Sequence, residues 1–248
     1  MLLEGKSIVV TGGNSGIGKA IVLAAAAEGA SVVVDYRMHP DYAAEVIAAA
    51  GQAGGRAVGV EADVSRTEDL HRIIQVAVEN FGRLDVLVSN AGIETRTSLL
   101  ETSEADFDKV LAVNLKSAFF GAQFAARQFM AQASGGLILT ISSTHEDWPM
   151  PGNIAYCVSK GGAKMLTRIL AKELGGRDIT VNAVAPGPTA TAAFLSSTSA
   201  EEQEQLAALP PLGRLGRPDD IAGVVSFLVG PTGRWVNGQG VYANGGLA

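Results

Sequence analysis

The chain has 248 residues, 47% of them hydrophobic and 18% charged, with a net charge of −6. That length holds one large α/β domain or two small ones, and the composition belongs to a folded protein with a sizeable core, not a disordered one. The acidic balance excludes a basic face for nucleic acid or an anionic membrane, and the single cysteine, Cys157, excludes an internal disulfide framework.

His39, His71 and His145 lie in unrelated segments without metal-ligand spacing, so no metal is expected. No apolar run approaches the roughly 20 residues that span a bilayer. Residues 1–6 lead straight into a strand without a signal-peptide core, and the expected location is cytoplasmic.

Residues 7–10 are all apolar after Ser7 and read as a first strand, ending in Thr11-Gly12-Gly13-Asn14-Ser15-Gly16-Ile17-Gly18. A helical pattern over 19–28 follows, closed by Gly29. Strand, glycine-rich turn and helix together form the setting in which a pyrophosphate can lie on glycine backbone at a helix N-terminus. The glycines are spaced G-x-x-x-G-x-G, and a second apolar strand at 31–34 completes a βαβ unit. That strand runs into Asp35-Tyr36-Arg37, where an adenosine ribose would lie. An acidic side chain there bonds the ribose hydroxyls of NAD, and an arginine accommodates the 2′-phosphate of NADP. Both types are present.

Further along, 41–53 reads as a helix, 56–62 as a strand with Asp63 at its end, and 67–81 as an amphipathic helix closed by Gly82. A fourth strand, 84–88, leads to Ser89-Asn90-Ala91-Gly92. Residues 106–130 read as helix, as one long element, with Asn114 among apolar neighbours; such an Asn either bonds the helix backbone or is aimed into a site. A fifth strand covers 137–141, a helix runs from near Tyr156 to Leu174, and a sixth strand covers 179–184 before Pro186-Gly187-Pro188. The segment 189–216 is irregular, with one polar helix candidate at 200–208, and its place after a strand end suits a substrate lid. A last helix, 218–229, and a short strand, 240–243, end the pattern.

Alternating strand and helix without a linker or repeat predicts a single domain over 1–248, a Rossmann-type doubly wound parallel sheet of about seven strands with helices on both faces. The glycine turn, 35–37, Asp63, 90–92, Ser143 and 186–187 all fall at strand C-terminal ends, the edge where such sheets bind ligands.

Tyr156 and Lys160 stand four apart and so share one helix face. A nearby ammonium favours the phenolate; moving a phenol from about 10 down by three units takes roughly 4 kcal/mol. Lys160 would supply part of this and a cationic cofactor the rest, while a Ser143 hydroxyl binds the oxygen that gains or loses the proton. The chemistry so read is proton transfer to a carbonyl or from an alcohol.

Taken jointly, Thr11-Gly12-x-x-x-Gly16-x-Gly18, Asn90-Ala91-Gly92, Asn114, Ser143 and Tyr156-x-x-x-Lys160 resemble the short-chain dehydrogenase/reductase family over essentially the whole chain. The resemblance implies that Tyr156 is the general acid/base, that Lys160 lowers its pKa and bonds the nicotinamide ribose, and that Ser143 orients the substrate oxygen. It implies that Asn114 holds a water linking Lys160 to solvent. Gly12, Ser15 and Ile17, with Asn14 and Gly18 of the same turn, would line the pyrophosphate and ribose. Asp63 and Val64 would meet the adenine, Asn90, Ala91 and Gly92 the ribose side, and Pro186, Gly187 and Thr191 the nicotinamide end.

The family's acidic NAD-selecting position counts to Tyr36 here. Arg37 is placed for a 2′-phosphate, yet Ser15 stands where a second basic residue is common in NADP-preferring members. Dual use of NAD(P), or a mild NADP preference, is expected. The run Ser143-Thr144-His145-Glu146, followed by Trp148-Pro149 and then Tyr156, is similar to the glucose 1-dehydrogenase-like branch, with Glu94, His145, Glu146 and Asn153 as candidate substrate contacts. A loop-structuring role for His145 and Glu146 stands beside that reading. Cys157 is assigned no role. The resemblance also implies a homotetramer, and the Ala-rich stretch 117–126 suits a buried subunit face. The alternatives are a 3-oxoacyl or general ketone reductase with an apolar channel formed by 189–212, and a cofactor-binding regulator without turnover.

Overall fold

The computed structural model describes residues 1–247. Seven strands form one wholly parallel sheet: β1 (Ser7–Val10), β2 (Ser31–Tyr36), β3 (Arg56–Glu61), β4 (Val86–Ser89), β5 (Gly136–Ile141), β6 (Ile179–Pro186) and β7 (Gly240–Ala243). They lie in the order β3-β2-β1-β4-β5-β6-β7. Parallel strands are covered by helices on both faces, which is why their sequences are apolar runs and not alternating ones.

The side chains still divide by the two-residue period. Ile8, Val10, Val32, Val34, Leu137 and Leu139 pack toward α1 (Gly16–Ala27), α2 (Pro40–Gln52) and α9 (Pro218–Val229). Val9, Val33, Leu87, Ile138 and Val181 pack toward α3 (Thr67–Phe81), α5 (Ser117–Ala131) and the end of α6 (Ile154–Leu174). Strand order reverses between β1 and its neighbours β2 and β4, which opens a crevice at their carboxyl ends.

Two elements differ from expectation. The single helix expected over 106–130 is α4 (Glu104–Leu111), a π-helical turn (Ala112–Lys116) and α5. The π turn carries Asn114, and such a bulge turns a side chain inward that a regular helix would place elsewhere. The small residues of α5, Ala118, Gly121, Ala122, Ala125 and Ala126, pack inward: a Cβ on Gly121 would lie 3.4 Å from Leu87. These small residues therefore serve the chain's own core, while Phe119 on the other side of the helix stays exposed.

The segment after β6 holds α7 (Ala192–Ser197), which the sequence pattern does not show, and α8 (Ala200–Ala208) at the expected place. Its neck is closed: Thr189 pairs with Gly216, with Ala190 N–H donating to Gly216 at 2.9 Å and Gly216 N–H to Pro188 at 2.8 Å. Among the described residues no helix is long and apolar enough to cross a membrane.

Candidate active site

The glycine turn is braced from below. Thr11 accepts the amides of Asn90 (2.9 Å) and Ala91 (3.0 Å), and the Asn90 amide donates to the carbonyls of Thr11 (2.8 Å) and Gly12 (3.1 Å). Asn90 and Ala91 thus lock β1 to β4, and a Cβ on Gly92 would lie 3.5 Å from the Asn114 side-chain oxygen and 3.8 Å from the Lys160 ammonium. Gly16 takes a positive φ of 52° and faces the Thr191 methyl. At the start of α1, Ser15 makes no side-chain cap bond and the first turn holds no acidic residue, so its amide donors face outward. Ile17 lines the cleft and Gly18 lies beneath, against Gly12. Asn14 turns elsewhere: its amide holds the carbonyls of Met38 (2.9 Å) and His39 (3.4 Å), shaping the loop after β2.

Asp35 is not at the ribose position. It is 2% exposed and accepts the Gly12 amide at 3.0 Å, with its other oxygen unpartnered. Burial outweighs that bond and pushes its carboxyl up to about 7. Arg37 is half-exposed and reaches Asp63 at 3.5 Å. Burial opposes ionisation of Asp63, but the Ser65 hydroxyl and amide and Arg37 outweigh it and hold this carboxyl below its usual range. Val64 packs into the core under α3, and half-buried Tyr36 ends β2.

The Asp35 shift makes a stability prediction. Between 3.8 and about 7 only the folded chain holds this proton, so stability declines as pH rises through that window and stays lowered above it. Asp35→Asn keeps an acceptor for Gly12 and removes the charge. It is expected to raise the melting temperature at pH 8 by at least about 2 °C and to change it little at pH 4. Equal effects at both pH values would refute the buried charge as the cause.

Tyr156 and Lys160 lie on the first turns of α6, as their spacing predicts. Lys160 is 4% exposed; its ammonium donates to the Ile141 carbonyl at 2.9 Å and lies 5.4 Å from the Tyr156 ring centroid. Ser143 follows β5, lies beside the Tyr156 phenol and accepts the His145 amide at 3.2 Å. The His145 ring meets that of Tyr156 edge-on at 5.9 Å and bonds the Trp148 carbonyl. Burial pushes Tyr156 up to about 12, opposed by Ser143 and reinforced by the charge of Glu94. Burial likewise pushes Lys160 down to about 8, opposed by Glu146. In the protein alone, desolvation dominates both groups.

Asn114 is 3% exposed and ties the loop after β4 to α6. Its carbonyl accepts Ile93 N–H (2.9 Å), and its amide donates to Ile93 O (2.9 Å) and Ser159 (3.1 Å). With both amide hydrogens engaged, a relay through Asn114 is left the second lone pair of its side-chain oxygen or its main-chain carbonyl.

Beyond Tyr156 the cleft opens to about 610 Å³ beneath α7 and α8. Glu94, His145 and Asn153 line it as expected, but the Asn153 amide is engaged by Glu94 at 2.7 Å. Glu146 does not line it: its side chain is fully enclosed between Ser142 and Tyr242, which corrects its reading as a substrate contact. Ser142 does border the cleft, but its hydroxyl is taken by Glu146. Pro186, Gly187 and Thr191 border the cleft, Thr191 also capping α7. Phe194, Leu206 and Leu209 wall the cleft from within the 189–212 segment expected to form an apolar channel; the walls that sequence reasoning did not single out are Trp148, Met150 and Arg96, which pairs with Glu202 of α8 at 2.7 Å.

A family model described as enoyl-(acyl carrier protein) reductase matches residues 12–248. The chain is 40% identical over 247 residues to an uncharacterised oxidoreductase of Methylorubrum extorquens, covering 99% of this chain and 98% of that protein. It is 37% identical over 246 residues to glucose 1-dehydrogenase 2 of Bacillus subtilis, covering 99% and 95%. The solved structure of a short-chain dehydrogenase/reductase from Serratia marcescens superposes with a TM-score of 0.94 at 39% identity, over 100% of this chain and 99% of that one.

Proposed function

The chain belongs to the short-chain dehydrogenase/reductase family and is an oxidoreductase, and on that premise we propose that it interconverts a secondary alcohol and a carbonyl with NAD(P), Tyr156 handling the proton. The observation that carries this reading is the convergence of Ser143, Tyr156 and Lys160 at the inner end of the cleft, beside the glycine turn.

Members of the family work with NAD(P), and the residues present suit it: uncapped amides at the start of α1 for a pyrophosphate, and a Gly16 cradle that a larger side chain would fill against Thr191. When bound, the cofactor supplies the hydride exchange and, in its oxidised form, a positive charge near the phenol. The protein's own part is positional and acid–base. Ser143 orients the substrate oxygen at the Tyr156 hydroxyl. Tyr156 donates its proton in carbonyl reduction and recovers it in alcohol oxidation. The Lys160 ammonium, fixed by Ile141, favours the phenolate as it forms.

For cofactor choice, Arg37 is the cation available to a 2′-phosphate, and Asp35 is too deeply buried to select NAD. The pairing of Arg37 with Asp63 weakens its hold, which supports a mild NADP preference over a strict one. For substrate, the likeness to the Bacillus glucose 1-dehydrogenase and the polar pair Glu94 and His145 favour a sugar. The wall of Trp148, Met150, Phe194, Leu206 and Leu209 favours the second reading, a ketone with an apolar body.

Nicotinamide absorbance with NAD or NADP across sugars, polyols and apolar ketones decides both questions. Turnover of glucose alone removes the ketone reading, and no turnover with any substrate removes the proposal. In the same assay Arg37→Ala is expected to raise KM for NADP by about tenfold and for NAD by less than about twofold; equal losses would exclude Arg37 as the phosphate reader. A tetramer would cover the exposed Phe119 of α5 and Met165 and Ile169 of α6, and light scattering at a monomer mass would exclude it.

A further inference from the structure

Glu146 is a fully enclosed carboxylate that the proposed chemistry does not use. One oxygen accepts the Ser142 hydroxyl at 2.5 Å and the other the Tyr242 hydroxyl at 3.1 Å, with the Lys164 ammonium at 4.0 Å. β7 is pressed against it: a Cβ on Gly240 would lie 3.1 Å from the carboxylate. Asp147 closes the cluster by accepting from Lys164 and sharing with Glu146 the single Tyr242 hydroxyl hydrogen. Three separate stretches therefore meet on one side chain. Ser142 is joined to Ser143, Lys164 stands one turn beyond Lys160 on α6, and Tyr242 lies about a hundred residues later on β7.

Burying a carboxylate without use costs several kcal/mol unless it is paired and fully hydrogen-bonded. A solely structural link between β7 and the loop would need only neutral groups. Here the carboxylate is bonded to the neighbour of Ser143 and lies beside Lys164, one turn from Lys160, and its charge supports the Lys160 ammonium against desolvation. The titratable groups around it are Lys160, Lys164 and Arg168 on α6, Asp147 on the same turn, and Tyr242 on β7.

We infer that Glu146 is a positioning residue for the catalytic centre, its buried carboxylate fixing the Ser142–Ser143 step to β7 and to Lys164 of α6. This rests on the reading of Tyr156 and Lys160 as the proton-handling pair. Ser143 can orient a substrate oxygen only if the chain at 142–143 keeps its register over α6. Glu146 holds that register through Ser142 and also favours the charged form of Lys160. In carbonyl reduction the phenol needs its proton and the lysine its charge, so both effects act on kcat, not on cofactor capture.

The test is Glu146→Gln, which keeps the shape and an acceptor for Ser142 while removing the charge, with Tyr242→Phe and Tyr156→Phe alongside. For Glu146→Gln, kcat of carbonyl reduction is expected to fall about tenfold with cofactor KM within about twofold. The alkaline limit of kcat should move to lower pH by about one unit, because Lys160 loses its proton earlier without that negative charge. In Tyr242→Phe, amide exchange over 141–145 is expected to quicken by about tenfold while that of α6 is unchanged. A Glu146→Gln enzyme with the parent's kcat and alkaline limit overturns the inference, as does a loss of activity that only follows a lowered melting temperature. A Tyr156→Phe enzyme that keeps turnover overturns the underlying catalytic reading instead. The exchange measurement needs no turnover and judges the bracing role separately.

Discussion

Tyr156→Phe is expected to lower kcat by about 10³-fold in both directions while leaving the dissociation constant for NADP within about twofold. The ring remains to pack against His145 and Lys160, so the fold and the cofactor groove are undisturbed. What is lost is the one hydroxyl beside Ser143 that can exchange a proton with the substrate oxygen. The parent enzyme should also show opposite pH trends for its two directions. In the protein alone burial holds the Tyr156 phenol above its usual range, and since alcohol oxidation needs the phenolate, the oxidation rate climbs as pH rises. Carbonyl reduction needs the phenol, which is abundant, and declines only as Lys160 loses its proton, near 8 in the protein alone. Cofactor binding by fluorescence and single-turnover absorbance at several pH values check both parts. Retained turnover in Tyr156→Phe would remove it as the acid/base.

Much of this site is local and therefore readable in the chain. Tyr156 and Lys160 need only a helix to share a face, and the glycine turn needs only a strand before it and a helix after. What the sequence did not disclose depends on partners far apart in it. Asp35 reads as a strand end, and only the Gly12 amide, 23 residues earlier, shows that it is enclosed. Glu146 reads as a loop residue beside a catalytic serine, until Tyr242 arrives on β7 and seals it. Asn114 reads as one polar residue in a long helix, because nothing in its neighbours signals the π turn that aims it at Ile93 and Ser159. The alanines of α5 suit any close helix contact, and composition alone does not say whether the sheet or a second subunit lies opposite.

Gly18→Ala is the substitution at the cofactor turn expected to do most damage, and the reason is space. Gly18 has no positive φ, so the backbone would accept alanine, but the added Cβ would lie 2.2 Å from the Gly12 carbonyl oxygen and 2.6 Å from the Asn90 amide. Neither neighbour can yield cheaply. The Gly12 carbonyl belongs to the turn itself, and Asn90 is the brace between β1 and β4. Relieving the contact must move α1 off the turn or break the brace, at a cost of about 1–3 kcal/mol for overpacking. A chain of this size should then melt lower by about 3–10 °C. Cofactor affinity should fall by at least about tenfold, because the amides at the start of α1 would no longer face the pyrophosphate together. Gly51→Ala is the matched control: it lies in α2 with open space around it, and alanine there should stabilise by about 0.5–1 kcal/mol without touching affinity. Calorimetry and cofactor titration on both variants separate a close-packing demand from a general preference for glycine. A Gly18→Ala protein with parental melting and affinity would show that the turn can shift, and the contact between Gly12 and Gly18 would then not explain the spacing of the motif.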